Sequence, residues 1–326
     1  MLNIRKEALL NEYKGNLYEF IFASLLARKF SLEGIFYQNL GADIKEMLEY
    51  QEKFLREFYP ELILDLPKLA QSLVDDFITN LKIKKINNIE IIGKVALASQ
   101  DNRYGEADVL VQSEKAIYPL SIKLGKAQSY LNTKSAGIKS FFQKYFASFA
   151  AVESIQNDFN QFYDQAYLEF SMQMHQAAEI DYLGGFKNWS QHNLPELPGQ
   201  LTDEFKDLYK AFSLKVSQKL LGTLYEFSKL DKEKFLLALK PLLGFSNDQV
   251  IQVSTYYKKV DESYHFFGNR IDQFNKNIKL ETFNLKEQVN YCDIELSDRI
   301  LQIRLKAMNK FTHASFKVNC SVKYKS

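Results

Sequence analysis

The period of the apolar residues changes along the chain, and the order of these changes limits the folds that the chain can adopt. The first part has apolar residues at three- and four-residue spacing, which predicts helices. These helical segments are 3–30, 43–58 and a third from about Pro67 to Lys82. Short segments rich in β-branched residues follow and predict strands, the last two joined as a hairpin. These segments are 89–95, 107–112 and 117–123.

Helical spacing then returns over most of the second half, before alternation appears again near the end. The predicted helical stretches are 138–180, 201–243 and 247–278. Alternating apolar and polar residues at 301–307 and 316–324 predict antiparallel strands, and 289–297 is expected to pair with the first of them. This order favours the α/β class in its mixed α+β form rather than alternating βαβ units. We predict a small mixed central sheet flanked by helices, a large helical insertion and C-terminal antiparallel strands.

The same pattern suggests three regions, namely a core over 1–150, a helical region over 151–285 and terminal strands over 286–326. The helical region is where we expect recognition or dimer contacts. Aromatic residues are frequent, and those at helical spacing within 141–149 are expected to be core rings.

The composition excludes several classes of protein. The net charge of +2 permits a nucleic-acid partner without requiring one. The two cysteines, Cys292 and Cys320, match no zinc spacing and are expected to be reduced core thiols. The four histidines have no ligand spacing, and no P-loop, dinucleotide or hydrolase motif occurs. With no secretory signal and no long apolar run, we expect a cytoplasmic protein without a membrane contact.

The predicted hairpin carries polar residues where a sheet normally buries apolar ones. Side chains alternate across a strand, so Asp108 lies on one face of its strand, and Ser121 and Lys123 lie on one face of the next. If the apolar rows face the core, these three side chains converge on the other side. A cross-strand ion pair worth less than about 1 kcal/mol is one interpretation of this pattern.

A metal-dependent hydrolytic site is the other interpretation. Hydrolysis of a phosphodiester needs a hard cation that neutralises charge on the phosphate and activates water. Mg²⁺ takes oxygen ligands and often needs only one or two carboxylates. Asp108 and the backbone carbonyl of Ile122 are candidate ligands, and Lys123 is a candidate for positioning water or stabilising charge.

A second carboxylate lies near the start of the chain, in the stretch Lys14-Gly15-Asn16-Leu17-Tyr18-Glu19. Glu19 shares a helical stripe with Phe22, Ala23 and Leu26. A carboxylate on an apolar stripe needs a partner. That partner is a metal site, a salt bridge to Lys14 or Arg28, or solvent at the edge of the stripe.

These residues resemble the PD-(D/E)xK nuclease superfamily, the restriction-endonuclease-like fold. The resemblance is carried by Asp108 followed by Ser121-Ile122-Lys123 on adjacent strands, after a helix and a strand. The KGxxxE stretch that ends at Glu19 is also similar to the opening of archaeal Holliday-junction resolvases. The chain departs from the family pattern at Ala107, where proline is usual, and at Ser121, where an acid is usual. The similarity covers about residues 10–150.

The resemblance implies a role for each residue of the motif. Asp108 is implied to be the principal metal ligand, Glu19 a second acidic contributor and Lys123 the residue that orients water. Glu19 or Glu106 is implied to compensate for Ser121.

Basic residues near the hairpin are candidates for contact with DNA. The segment after Lys123 carries lysines among amides and hydroxyls and contains no acid, and Arg103 precedes the second strand. Such side chains commonly contact phosphates, although a solvated loop and helix start would look the same. The candidates are Lys126, Lys134, Lys139 and Arg103. The C-terminal Arg304, Lys306, Lys317 and Lys323 form a further basic face.

The sequence therefore predicts a Mg²⁺-dependent endonuclease that acts on double-stranded DNA. A type II restriction enzyme, acting as a homodimer on a two-fold symmetric site, is the form that the length favours. The alternatives are a nucleic-acid-binding protein that keeps the fold without the chemistry, a resolvase-like nuclease, and a helical interaction protein with an incidental hairpin.

Overall fold

The computed structural model describes residues 2–93, 104–245, 249–274, 277–285, 291–308 and 310–325. Contacts divide the chain into two compact units. Unit 1 contains 1–131 and 244–275, and unit 2 contains 132–243 and 276–326. The chain leaves unit 1 after the hairpin region, forms most of unit 2, and then returns. The three regions predicted from the sequence are consecutive along the chain. Each of these two units instead combines two segments that are distant in sequence.

The described helices lie in both units. Unit 1 has α1 (Leu2–Lys29), α2 (Glu33–Asn39), α3 (Ala42–Phe58) and α4 (Pro60–Leu81). Unit 2 has α5 (Phe141–Tyr145), α6 (Val152–Ala177), α7 (Lys187–Gln191), α8 (Asp203–Leu230) and α9 (Lys232–Leu239). Within the described ranges, no helix combines the length and apolar content that crossing a membrane requires.

The described strands form two five-stranded sheets. Sheet 1 contains β1 (Ile86–Ile91), β2 (Val109–Ser113), β3 (Ile117–Lys126), β5 (Ile251–Val260) and β6 (Ser263–Gln273). Sheet 2 contains β4 (Leu131–Gly137), β7 (Leu280–Leu285), β8 (Tyr291–Leu296), β9 (Arg299–Ala307) and β10 (Phe316–Tyr324). This mixture of helices and sheets confirms the predicted fold class.

Sheet 1 has the order β1-β2-β3-β5-β6. The predicted hairpin is confirmed, since β2 and β3 are antiparallel and Val109 lies opposite Leu120. A turn closes it, in which Ser113 N–H donates to the Ala116 carbonyl at 2.9 Å. Strand β3 then pairs with β5 in the parallel direction, with Ile122 opposite Val253. A parallel pair needs a long connection, and the segment 132–243 supplies it.

The core of unit 1 lies between helices α1 and α4 and one face of sheet 1. The apolar rows of the hairpin face this core, and Val109, Val111, Leu120 and Ile122 are all buried in it. Burying one such side chain contributes about 1.5–3 kcal/mol. A buried hydrogen bond also fixes α1 on the sheet, because the Tyr18 hydroxyl donates to Thr255 Oγ1 at 2.7 Å.

Unit 2 packs its long helices on one face of sheet 2. Rings from α6, α8 and β10 form its centre, as in the pair Phe170 and Phe212 with centroids 4.8 Å apart. The predicted core role of the 141–149 rings is confirmed, since Phe141, Phe142, Tyr145, Phe146 and Phe149 are all buried. The two predicted C-terminal strands are confirmed as β9 and β10, which pair in the antiparallel direction with Ile303 opposite Cys320.

The two cysteines are buried free thiols, as expected. Cys292 and Cys320 each lie opposite Ile303, on the two strands that flank β9. A whole strand therefore separates them, which is too far for a disulfide.

The predicted helix over 247–278 is wrong, because this segment forms the antiparallel strands β5 and β6. Its apolar residues fit a helical period, but the run from Val250 to Val260 is rich in β-branched and aromatic side chains. Burial beside β3 favours the strand over the helix, because Ile251 and Val253 are buried at that position.

Other elements also differ from the prediction in where they begin or in how they are divided. Helix α4 begins at Pro60, at the first-turn position that proline favours, and Pro67 lies inside the helix. The predicted helical stretch 138–180 is interrupted after α5 and resumes as α6 at Val152. The segment between Lys123 and Ile138, which by sequence also fits a loop and helix start, contains the end of β3 and the strand β4.

Candidate active site

The carboxylate of Asp108 is the centre of the candidate site. It precedes β2, and its Oδ2 accepts from the backbone N–H of Ile122 at 2.8 Å. The same oxygen lies 3.2 Å from Lys123 Nζ and 3.4 Å from the hydroxyl of Ser121. These donors fix one carboxylate oxygen on the neighbouring strand. The structure therefore brings together the three hairpin residues that the alternation predicted.

The end of β2 explains this geometry. Strand β2 pairs with β3 only between Ile117 and Leu120, and the Asp108 N–H then donates to the Leu120 carbonyl at 2.7 Å. Beyond that point the side chain of Asp108, rather than another strand residue, takes the Ile122 N–H. The N–H and C=O of a strand residue point to the same side, so the Ile122 carbonyl is directed toward this edge.

Gly93 lies directly behind Asp108. Its N–H donates to the Asp108 carbonyl at 3.1 Å. A Cβ added to Gly93 would lie 2.9 Å from Asp108 Cα and 3.0 Å from its Oδ1. Any larger residue would have to displace the backbone that holds the carboxylate. No local sequence signal marks this role of Gly93, which follows only from its proximity to Asp108.

Lys123 is a charged residue in a largely buried place, with its side chain 27 % exposed. Burial by itself lowers the pKa of Lys123, but the carboxylates of Asp108, Glu19 and Glu106 more than offset it. The net result is a pKa above the ordinary lysine value. Lys123 therefore stays an ammonium at neutral pH. Because Glu19 is one of the charges that raise the pKa of Lys123, its carboxylate lies within electrostatic range of Lys123.

Glu19 reaches this region from α1, where it is half-buried. Its neighbour Tyr18 is fixed on β5 by the bond to Thr255, which sets the level of α1 along the sheet. The two salt-bridge partners that the sequence left open are engaged elsewhere. Arg28 pairs with Glu33 at 3.0 Å, and Lys14 donates to the Tyr257 hydroxyl at 3.1 Å.

The predicted DNA-contacting residues do not form one loop. Lys126 is exposed at the end of β3 in unit 1, whereas Lys134 and Lys139 belong to unit 2. Lys139 pairs with Asp164 at 2.6 Å, which neutralises it. Strand β4 carries the chain into the other unit between Lys126 and Lys139. Arg103 lies outside the described residues.

The donors at the site suit a hard divalent cation in part. They are oxygen atoms, from Asp108, from Glu19 and Glu106 near Lys123, and from the Ile122 carbonyl. Mg²⁺ is often held by one or two carboxylates together with water. Within the described part of the chain, no three acidic, histidine or cysteine side chains form a ready metal cluster. These oxygen atoms would suit a cation that keeps much of its hydration, with Asp108 as the candidate for its principal ligand.

Comparisons of the chain with protein-family models, with curated proteins and with solved structures find no match. Any statement about function therefore depends on the geometry of unit 1.

Proposed function

We propose that the chain is a Mg²⁺-dependent nuclease that hydrolyses phosphodiester bonds in DNA. The observation that carries the proposal is the meeting of Asp108 with Lys123 on the part of β3 that extends beyond its pairing with β2, with Glu19 within electrostatic range of Lys123. The resemblance requires a helix and a strand, followed by adjacent strands that carry the acid and the lysine. Unit 1 has α1, β1, β2 and β3 in that order.

Each residue has a task in this chemistry. Asp108, with Glu19 and the Ile122 carbonyl, would hold the cation. When bound, Mg²⁺ supplies Lewis acidity and lowers the pKa of water. Lys123 keeps its proton because its pKa is raised, so its ammonium can stabilise negative charge on the phosphate. Ser121 donates to Asp108 and thereby orients the carboxylate.

Two observations favour a second candidate, a DNA-binding protein without catalysis. Ser121 stands where the resemblance calls for an acid, and Asp108 Oδ2 already accepts from three donors. A saturated carboxylate oxygen is typical of a structural ion pair as well as of a metal ligand. In this case the protein would bind DNA and leave it intact.

A cleavage assay separates the two candidates. Supercoiled plasmid and linear duplex DNA are incubated with the purified chain with Mg²⁺ and with EDTA. Nicked or linear product that requires Mg²⁺ and is lost in Asp108→Asn supports the nuclease. DNA binding without cleavage, unchanged in Asp108→Asn, supports the second candidate. A type II restriction enzyme would also give discrete fragments and sediment as a homodimer.

A further inference from the structure

The ammonium of Lys14 is buried within unit 1 without an acidic partner among the described residues. Only 8 % of the residue is exposed. Its Nζ donates to the Tyr257 hydroxyl at 3.1 Å and lies 3.4 Å from Asn11 Oδ1, and both groups are neutral. Burial lowers the pKa of Lys14. A buried ammonium with neutral partners costs free energy, which an anionic ligand would offset.

The surroundings of Lys14 carry additional positive charge. Tyr257 on β5 lies opposite Lys126, the exposed last residue of β3. The charges of Lys126 and Lys259 both act on the Tyr257 hydroxyl, although Lys259 also pairs with Glu262 at 2.8 Å. Lys14, Lys126 and the Tyr257 hydroxyl therefore lie together at the carboxyl ends of β3 and β5. Ammonium and hydroxyl groups are the usual donors to phosphate oxygens.

Gly15 is the second unusual feature at this place. It lies inside α1, where glycine destabilises a helix relative to alanine. Apart from its chain neighbours and the backbone of its own helix, no described atom lies within 4 Å of a Cβ built there. Packing within the described chain therefore does not require glycine at this position. A ligand backbone that approaches the helix closely would require it.

The Lys14 group lies near the candidate active site along both elements. Lys14 precedes Glu19 by five residues, which is about 7.5 Å along a helix axis. Lys126 follows Lys123 by three residues, which is about 10 Å along a strand, and alternation places the two side chains on opposite faces of β3.

We propose that Lys14, Lys126 and the Tyr257 hydroxyl bind a non-scissile phosphodiester of DNA, with Gly15 allowing its close approach. The phosphate chemistry of the ligand follows from the donors alone. Its assignment to a DNA substrate rests on the proposed nuclease function.

Binding of a labelled DNA duplex, measured by fluorescence anisotropy in EDTA, tests the subsite without requiring cleavage. Lys14→Met keeps the length of the side chain and removes its charge. We expect it to weaken binding about tenfold and to reduce the slope of log K against log salt by about 1. The matched control, Lys115→Met, removes an exposed lysine from the β2–β3 turn and should bind within twofold of the wild type.

Gly15→Ala supplies a variant that folds at least as well as the wild type. It should raise the melting temperature and yet weaken DNA binding. Its control is Gly34→Ala in α2, which also has no described atom within 4 Å of the added Cβ. That control should raise the melting temperature and leave binding unchanged.

The outcomes separate the subsite from the nuclease. If the wild type binds DNA and Lys14→Met binds equally well with the same salt slope, the subsite is wrong and the nuclease proposal stands. If the wild type neither binds nor cleaves DNA, the nuclease proposal fails, and inorganic phosphate then decides the anion site. Phosphate should raise the melting temperature of the wild type but not of Lys14→Met, and equal responses overturn the site.

Discussion

Lys123 Nζ lies 3.2 Å from Asp108 Oδ2 across two adjacent strands, and the same oxygen accepts the N–H of Ile122 at 2.8 Å. The ion pair is therefore fixed by the backbone as well as by charge. An ordinary surface pair between two strands has no such support and contributes less than about 1 kcal/mol. The fixed position of both groups is what a catalytic site needs.

The first prediction concerns the two central residues. Asp108→Asn and Lys123→Met should each reduce Mg²⁺-dependent cleavage by at least about a hundredfold, because each removes a charge that acts on the phosphate or its cation. DNA binding in EDTA should change much less. Asp158→Asn, which changes an exposed acid on α6, is the control. Full cleavage by either site variant would contradict the proposed roles.

The second prediction concerns Glu19. Glu19→Gln should raise the Mg²⁺ concentration needed for half-maximal cleavage, since it removes a carboxylate near Lys123. It should also lower the pKa of Lys123, measured by NMR of the lysine side chain, because Glu19 is one of the charges that raise it. Glu12→Gln on the same helix should change neither quantity. An unchanged Lys123 pKa in Glu19→Gln would remove Glu19 from the site.

The third prediction concerns the close approach of Gly93 to Asp108. Gly93→Ala should lower the free energy of unfolding by about 1–3 kcal/mol, because its Cβ would lie 2.9 Å from Asp108 Cα. It should also reduce cleavage, since the carboxylate has to move. Gly34→Ala should stabilise the protein slightly. Chemical denaturation of both variants measures the difference, and a neutral Gly93→Ala would show that the backbone adjusts without cost.

The fourth prediction concerns stability at alkaline pH. The folded pKa of Lys123 is above its unfolded value, so its pairing contributes stability that is present below about pH 10.5 and is lost as the pH rises through the folded pKa. Lys123→Met lacks this contribution. The free-energy difference between wild type and Lys123→Met should therefore shift in favour of the variant above about pH 10.5. A constant difference across that range would contradict the raised pKa.

The fifth prediction concerns the missing acid. Ser121 is 1 % exposed and adjoins Asp108, so Ser121→Asp would place a second carboxylate beside the first. Without metal, the repulsion should lower the melting temperature by several degrees. Mg²⁺ should restore it in Ser121→Asp, while Ser121→Ala should respond no more than the wild type. The same loss of stability with and without Mg²⁺ would argue against a cation at this place.

Local sequence patterns predicted the main features of the unit 1 hairpin and helices and much of unit 2. Alternation placed Asp108 and Lys123 on the hairpin and their apolar neighbours in the core, because successive side chains of a strand must point to opposite faces. The same rule predicted the strands β9 and β10. Helical spacing gave α1 and α3 nearly to the residue, since each buries one stripe of side chains.

The features that join distant parts of the chain depend on long-range packing, which local patterns do not encode. Strands β5 and β6 exist because a buried place beside β3 accepts β-branched and aromatic residues that also fit a helix. The pairing of β5 with β3 also places Tyr257 beside Lys14. The close approach of Gly93 restricts the position of Asp108. Local patterns record which face of an element is apolar, whereas long-range pairing is decided by which buried surfaces fit one another.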